Sequence, residues 1–175
     1  MAVEQSKQRV AEARMRKAAQ RLLEASTLCA IATVGPDASA YVNTAYFAFS
    51  PELEIVWMSE PHAQHSRNIQ AQGTVAIAVF DSTQSWGKPD RGIQLFGSAR
   101  EVAEPDAVDP KAIYASRFPD YQPGEFTAYR LYAFRPRRIK LFDERELGGG
   151  RFVSARVEDG GRLAWESTQV YRSDA

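Results

Sequence analysis

Apolar and polar positions change rhythm once along the chain. From Gln8 to Ala25, Ala11, Met15, Ala18 and Leu22 recur at helical spacing, with Arg9, Glu12, Arg16 and Lys17 on the other faces, which predicts an amphipathic cover helix. After Ser26 and Thr27 the helical period disappears and short β-rich runs follow one another. The pattern predicts strands at Leu28 to Val34, Tyr41 to Phe49, Leu53 to Met58, Thr74 to Phe80, Gly92 to Val102, Ala128 to Phe134 and Arg138 to Phe142, with weaker strands after Gly150 and after Gly161. Between them, "GPDAS", "SPE" and "EDGG" supply turn chemistry, because Pro fixes φ, Gly accepts positive φ, and Asp or Ser bonds its own backbone. Two short helices are expected near Ala63 to Ala71 and from Asp109 to Phe118, the second with Asp109 as N-cap and Pro110 in its first turn.

So many consecutive strands favour closure into an antiparallel barrel, which removes exposed edges. A length of 175 residues suits one domain over 1–175, with the cover helix at about 8–25 and the barrel at about 28–158. Lysine and arginine balance aspartate and glutamate at 22 each, so no global field draws the chain to nucleic acid or an acidic membrane. The single cysteine, Cys29, lies in an apolar run and reads as a small buried hydrophobe without a disulfide partner. No stretch of the first twenty residues resembles a signal peptide or a membrane span, and a cytoplasmic location is expected.

The chemistry concentrates in "SEPHAQHSRNI", Ser59 to Ile69, which holds both histidines, His62 and His65. A metal site would need further ligands, and the sequence offers neither CxxC nor HExxH. A serine nucleophile lacks a GxSxG elbow. An anion cradle fits best, since Ser59, Gln64, His65, Ser66 and Arg67 collect where a strand ends and a helix opens. The plain alternative is a solvated helix face capped by Ser66.

Three stretches, "LCAIATVGPDASAYVNTAYFAFSPELEIVWMSEPHAQHSRNIQAQGTVAIAVFD", "RGIQLFGSAREV" and "RPRRIKLFDERELGGGRF", in this order and spacing, resemble the pyridoxamine 5′-phosphate oxidase-like family of split β-barrel flavoproteins. The resemblance runs from about Leu22 to Val153. It implies a mostly β, split antiparallel barrel and a homodimer holding flavin mononucleotide (FMN) at the interface. Asn43 and Thr44 stand where the family contacts the flavin ring and ribityl chain, and Ser59 matches a phosphate-binding hydroxyl. Gln64 and His65 occupy positions that are Arg and Lys in pyridoxamine phosphate oxidases, which leaves Arg67, beside Ser66, as the permanent cation of the segment and the preferred phosphate ligand, with His65 as a further hydrogen-bond donor. The family's flavin-contacting Gln from the partner strand matches Gln94, two residues displaced. Gln84 and Trp86 form a loop that caps the ring or is simply polar with one anchoring aromatic. Phe142 replaces a flavin-packing Trp, or serves as core, and Arg151 matches a cofactor-contacting Arg.

The resemblance implies hydride transfer at the flavin N5, with no protein acid or base strictly required. For the substrate, Arg117 is retained from the family's phosphate-binding helix and Tyr121 stands near its Ser position, whereas "RFVSAR" lacks the family's His, so a vitamin B6 substrate is not implied. Relatives that use the deazaflavin F420 keep that cofactor open, with Lys7, Arg9, Arg14, Arg16 and Lys17 as a groove for its polyglutamate tail or as a solvated helix face. A haem- or flavin-binding protein without turnover, with His62 or His65 as axial ligand in the haem case, is the third reading.

Overall fold

In the computed structural model the described residues are 2–103, 109–121 and 127–172. The order of elements is β1 (Ala2–Ser6), α1 (Glu12–Glu24), β2 (Leu28–Val34), β3 (Ala40–Phe49), β4 (Ile55–Ser59), α2 (Gln64–Ala71), β5 (Thr74–Phe80), β6 (Arg91–Glu101), α3 (Pro110–Arg117), β7 (Arg130–Asp143), α4 (Glu144–Leu147), β8 (Arg151–Val157) and β9 (Leu163–Arg172). The strands form one sheet in the order β1-β9-β8-β7-β4-β3-β2-β5-β6, and β6 also pairs with β7. Six strands, from β7 through β4, β3, β2 and β5 to β6, therefore close on themselves as a barrel, and β8, β9 and β1 extend it. No helix among the described residues is long and apolar enough to cross a membrane.

The chain divides into two compact units. The first comprises Met1–Ser26, Ala78–Leu95 and Arg137–Ala175. Its helix α1 buries Met15, Ala18, Ala19, Leu22 and Leu23, the i, i+3, i+4 stripe that amphipathic spacing demands. The helix starts at Glu12, later than the periodicity predicts, and residues 2–6, ahead of the predicted helix, form a strand paired antiparallel with β9 from Ala2↔Arg172 to Ser6↔Thr168. Arg9 is stacked over Trp165 at 5.2 Å, Arg14 donates to the Glu146 carbonyl, and Arg16 donates to the Gly161 carbonyl at 2.5 Å. Much of the basic N-terminal segment is thus engaged within its own unit.

The second unit comprises Thr27–Ile77 and Phe96–Pro136. Along β2 the strand period turns Cys29, Ile31 and Thr33 inward. Burial pushes the Cys29 thiol up to about 12, so it stays protonated and packs as a hydrophobe. The opposite row of β2 and β3 faces outward, with Leu28↔Tyr46, Ala30↔Thr44 and Ala32↔Val42 paired, and Val42 is 70% exposed and Tyr46 59%. Strand β7 is continuous where Pro136 predicts a break. Its pairing with β4 ends at Phe134 and that with β8 begins at Arg138, so the missing N–H at Pro136 falls between the two registers. Gly97 of β6 permits this closure, since a Cβ there would collide with the Arg135 carbonyl. The strand expected from Leu53 starts at Ile55, because Leu53 turns with φ of 68°.

Candidate functional site

The site is built in the second unit where β4 ends and α2 begins. At the end of β4, Trp57 and Ser59 are buried on one face, while Met58 lies on the other with the buried Val56. The chain then opens α2 behind Ala63, whose side chain provides no cap. The first backbone N–H groups of α2 are accordingly unspent by capping and carry the positive end of the helix dipole. One turn in, His65 Nε2 lies 2.5 Å from Ser59 Oγ, and Ser66 Oγ donates to Ser59 Oγ at 3.3 Å. Burial holds the His65 imidazole below its ordinary value of 6.5, which leaves it neutral near pH 7.

Helix α2 is fixed from beneath. The fully buried Asn68 donates to Thr33 Oγ1 on β2 at 3.0 Å and accepts from Gln64 Nε2 at 2.8 Å. On the exposed side, Arg67 donates to the His62 carbonyl and to Gln64 Oε1, so its guanidinium is folded back over the start of its own helix.

Facing this corner is a cavity of about 590 Å³ lined by Asn43, Thr44, Ala45, Tyr46, Met58, Ser59, His65, Tyr114, Phe118, Asp120, Tyr121 and Tyr129. Asn43 donates to the Thr44 carbonyl at 3.3 Å, and its Oδ1 is buried without a hydrogen-bond partner. Buried acceptors are rarely left unmet, so Asn43 Oδ1 offers a docking point for a ligand N–H. Tyr114, Phe118 and Tyr121 come from α3 and the turn after it, where Asp109 accepts from the N–H groups of Lys111 and Ala112 and Pro110 opens the helix. Burial raises the Tyr114 hydroxyl above its ordinary value, with Tyr121 and Tyr46 adding to the shift, and the ring stays a neutral phenol.

Of the residues singled out in the sequence, Asn43, Thr44, Ser59, His65 and Tyr121 converge on this cavity, and Ser66 and Gln64 support it from behind. Arg117 places its guanidinium over Phe47 and Phe49 at 4.6 and 5.1 Å. His62 is exposed at the helix approach. In the first unit, Gln94 is half-buried on the outward row of β6 and Trp86 is wholly exposed. Gln84 fastens the base of that loop by exchanging hydrogen bonds with the Arg91 backbone at 2.6 and 2.9 Å. Phe142 packs on Phe152, with 5.7 Å between ring centroids, and Arg151 donates to Gln8 Oε1 at 2.8 Å. The segment "IYASRFPDYQPG" that the resemblance matches to the family's phosphate-binding helix ends in Gln122 to Gly124, which lie outside the described residues.

Residues 15–143, well over half of the chain, match the family model described as pyridoxamine 5′-phosphate oxidase. The chain belongs to the pyridoxamine 5′-phosphate oxidase family. Solved structures agree on the fold at low identity. A protein related to general stress protein 26 of B. subtilis, of the pyridoxinephosphate oxidase family and from Clostridium acetobutylicum, is 10% identical with a TM-score of 0.63, over 85% of this chain and 97% of that one. A heme binding protein from Mycobacterium smegmatis is 17% identical with a TM-score of 0.62, over 85% of this chain and 59% of that one. A structure named F420 reductase is 24% identical with a TM-score of 0.53, over 69% of this chain and 94% of that one. No curated protein matches the sequence.

Within this family fold, the rest of the cavity lining, including Tyr46, Met58, Phe118, Asp120 and Tyr129, carries no motif that marks it in the sequence. Part of the signal is local. Tyr114, Phe118 and Tyr121 recur at spacings of four and three, one face of a helix and its continuation. Tyr129 joins them only through the fold.

Proposed function

We propose that the chain is an FMN-dependent oxidoreductase acting on a small organic molecule, and that it works as a homodimer. The observation that carries this reading is the cavity's polarity: an unmet buried carbonyl at Asn43 stands at one part, and the Ser59–His65 pair with the uncapped start of α2 at another. A ring bearing N–H groups suits the first, and a phosphate suits the second. When bound, the flavin supplies hydride transfer. The chain's own residues bind and orient: Ser59 and His65 hold the phosphate oxygens, Ser66 keeps the Ser59 hydroxyl turned toward them, and Asn43 and Thr44 fix the ring. Dimerisation is supported by the exposed apolar side chains Leu28, Val42 and Phe96, which water covers poorly.

Haem in this cavity would require a free imidazole, and His65 Nε2 is already engaged by Ser59, while His62 is not among the residues that line it. F420 would need a basic groove, and Arg9, Arg14 and Arg16 are committed to partners in their own unit. The absorbance spectrum of the purified protein, followed by titration with FMN, tests the reading. Saturable binding with flavin bands supports it, and a protein that binds no FMN at micromolar concentrations refutes it.

A further inference from the structure

Part of the cavity is walled by aromatic rings, most of them set at steep angles to one another. Tyr46 meets Phe118 edge to face, with centroids 6.0 Å apart and planes at 81°, and Tyr114 meets Tyr121 likewise at 5.3 Å and 79°. Tyr114 and Phe118 lie 4.9 Å apart at 41°. A slot for a flat ring would have parallel walls, whereas planes near right angles form the corner of a box. Tyr46 and Tyr129 are 59% and 47% exposed, so these rings are not spent on core packing.

The charge around this box has one sign. Among the described lining residues there is one carboxylate, Asp120, and no lysine or arginine, while His65 is held neutral by burial. Cations nearby are turned elsewhere: Arg117 over Phe47 and Phe49, Arg130 toward the carbonyls of Thr127 and Tyr129 and the carboxylate of Glu101, and Arg67 onto its own helix. Ring faces are negative and attract ammonium groups, most strongly when the cation is alkylated and poorly hydrated.

The geometry points to an alkylated organic cation as the ligand of this half-site, caged by Tyr46, Tyr114, Phe118, Tyr121 and Tyr129 with Asp120 as counter-charge. Naming it as the substrate class rests on the oxidoreductase reading of the same cavity. Cation binding itself needs no flavin, so the two claims fail separately.

Three probes of one shape decide the matter: choline, its neutral isostere 3,3-dimethylbutan-1-ol, and the anion 3,3-dimethylbutanoate, titrated calorimetrically into the full-length protein. Choline is expected to bind about tenfold more tightly than the alcohol, and the butanoate least. Asp120→Asn and Tyr46→Ala, both at exposed positions, should each reduce that preference several-fold while leaving far-UV circular dichroism unchanged. Equal affinity for choline and the alcohol, tighter binding of the anion, or no choline binding up to tens of millimolar overturns the proposal.

Discussion

Replacing Asn68 with Ala should destabilise the protein by about 2 to 4 kcal/mol, although Asn68 does not line the cavity. The side chain is fully buried and bridges two elements, donating to Thr33 Oγ1 at 3.0 Å and accepting from Gln64 Nε2 at 2.8 Å. Truncation leaves Thr33, itself 2% exposed, without its donor and Gln64 without its acceptor. Each buried polar group so stranded costs about 1 to 3 kcal/mol, and the vacated volume adds a smaller cavity term. Because α2 carries His65, loosening it also relaxes the 2.5 Å contact with Ser59. Urea unfolding followed by the emission of buried Trp57 measures the loss, and a Thr33→Val, Asn68→Leu cycle isolates the pair. A coupling of about 1 kcal/mol is expected, because removing both polar partners strands fewer groups than removing one. A loss below about 0.5 kcal/mol for Asn68→Ala, with no coupling, would refute the claim that this bridge anchors the helix.

Two further outcomes follow from the geometry. The folded state lowers the His65 imidazole below 6.5, so the unfolded chain binds the proton more readily there; the associated stability is present above about pH 6.5 and is lost as pH falls below it. Stability measured from pH 8 to pH 5 should therefore decline, and His65→Gln should flatten the decline; an unchanged slope would show that His65 is not desolvated. If the proposed dimer forms through this face, Val42→Glu, at a 70% exposed position on the outward row of β3, turns it into a monomer in sedimentation, because a buried unpaired carboxylate costs several kcal/mol; an unaltered sedimentation coefficient would remove this face from the proposed interface.

Much of this fold is legible in the sequence wherever local chemistry decides. Asp109 and Pro110 mark the start of α3 because capping and a preset φ act within one turn, and β2 and β5 have the bounds that their alternation predicts. The misses are tertiary in origin. Residues 2–6 are too short and polar to announce a strand, and are one because β9, more than 150 residues away, offers an edge. Pro136 reads as a break until the shift from β4 to β8 is known. At the site, Ser59 and His65 are six apart in sequence and meet through a tight turn, which the motif anticipates. The direction of Arg67 is not encoded in the motif, since the nearby His62 carbonyl and Gln64 amide compete for its guanidinium. The aromatic box draws on β3, α3 and the approach to β7, which no local window spans.

The sharpest test compares FMN with riboflavin, which keeps the ring and ribityl chain but lacks the phosphate, in the unaltered protein and in Ser59→Ala. FMN should bind at least about tenfold more tightly than riboflavin, the scale of charge-assisted hydrogen bonds to the phosphate, and the substitution should erase most of that ratio. Equal affinities for the two flavins in the unaltered protein would contradict a phosphate site at the junction of β4 and α2.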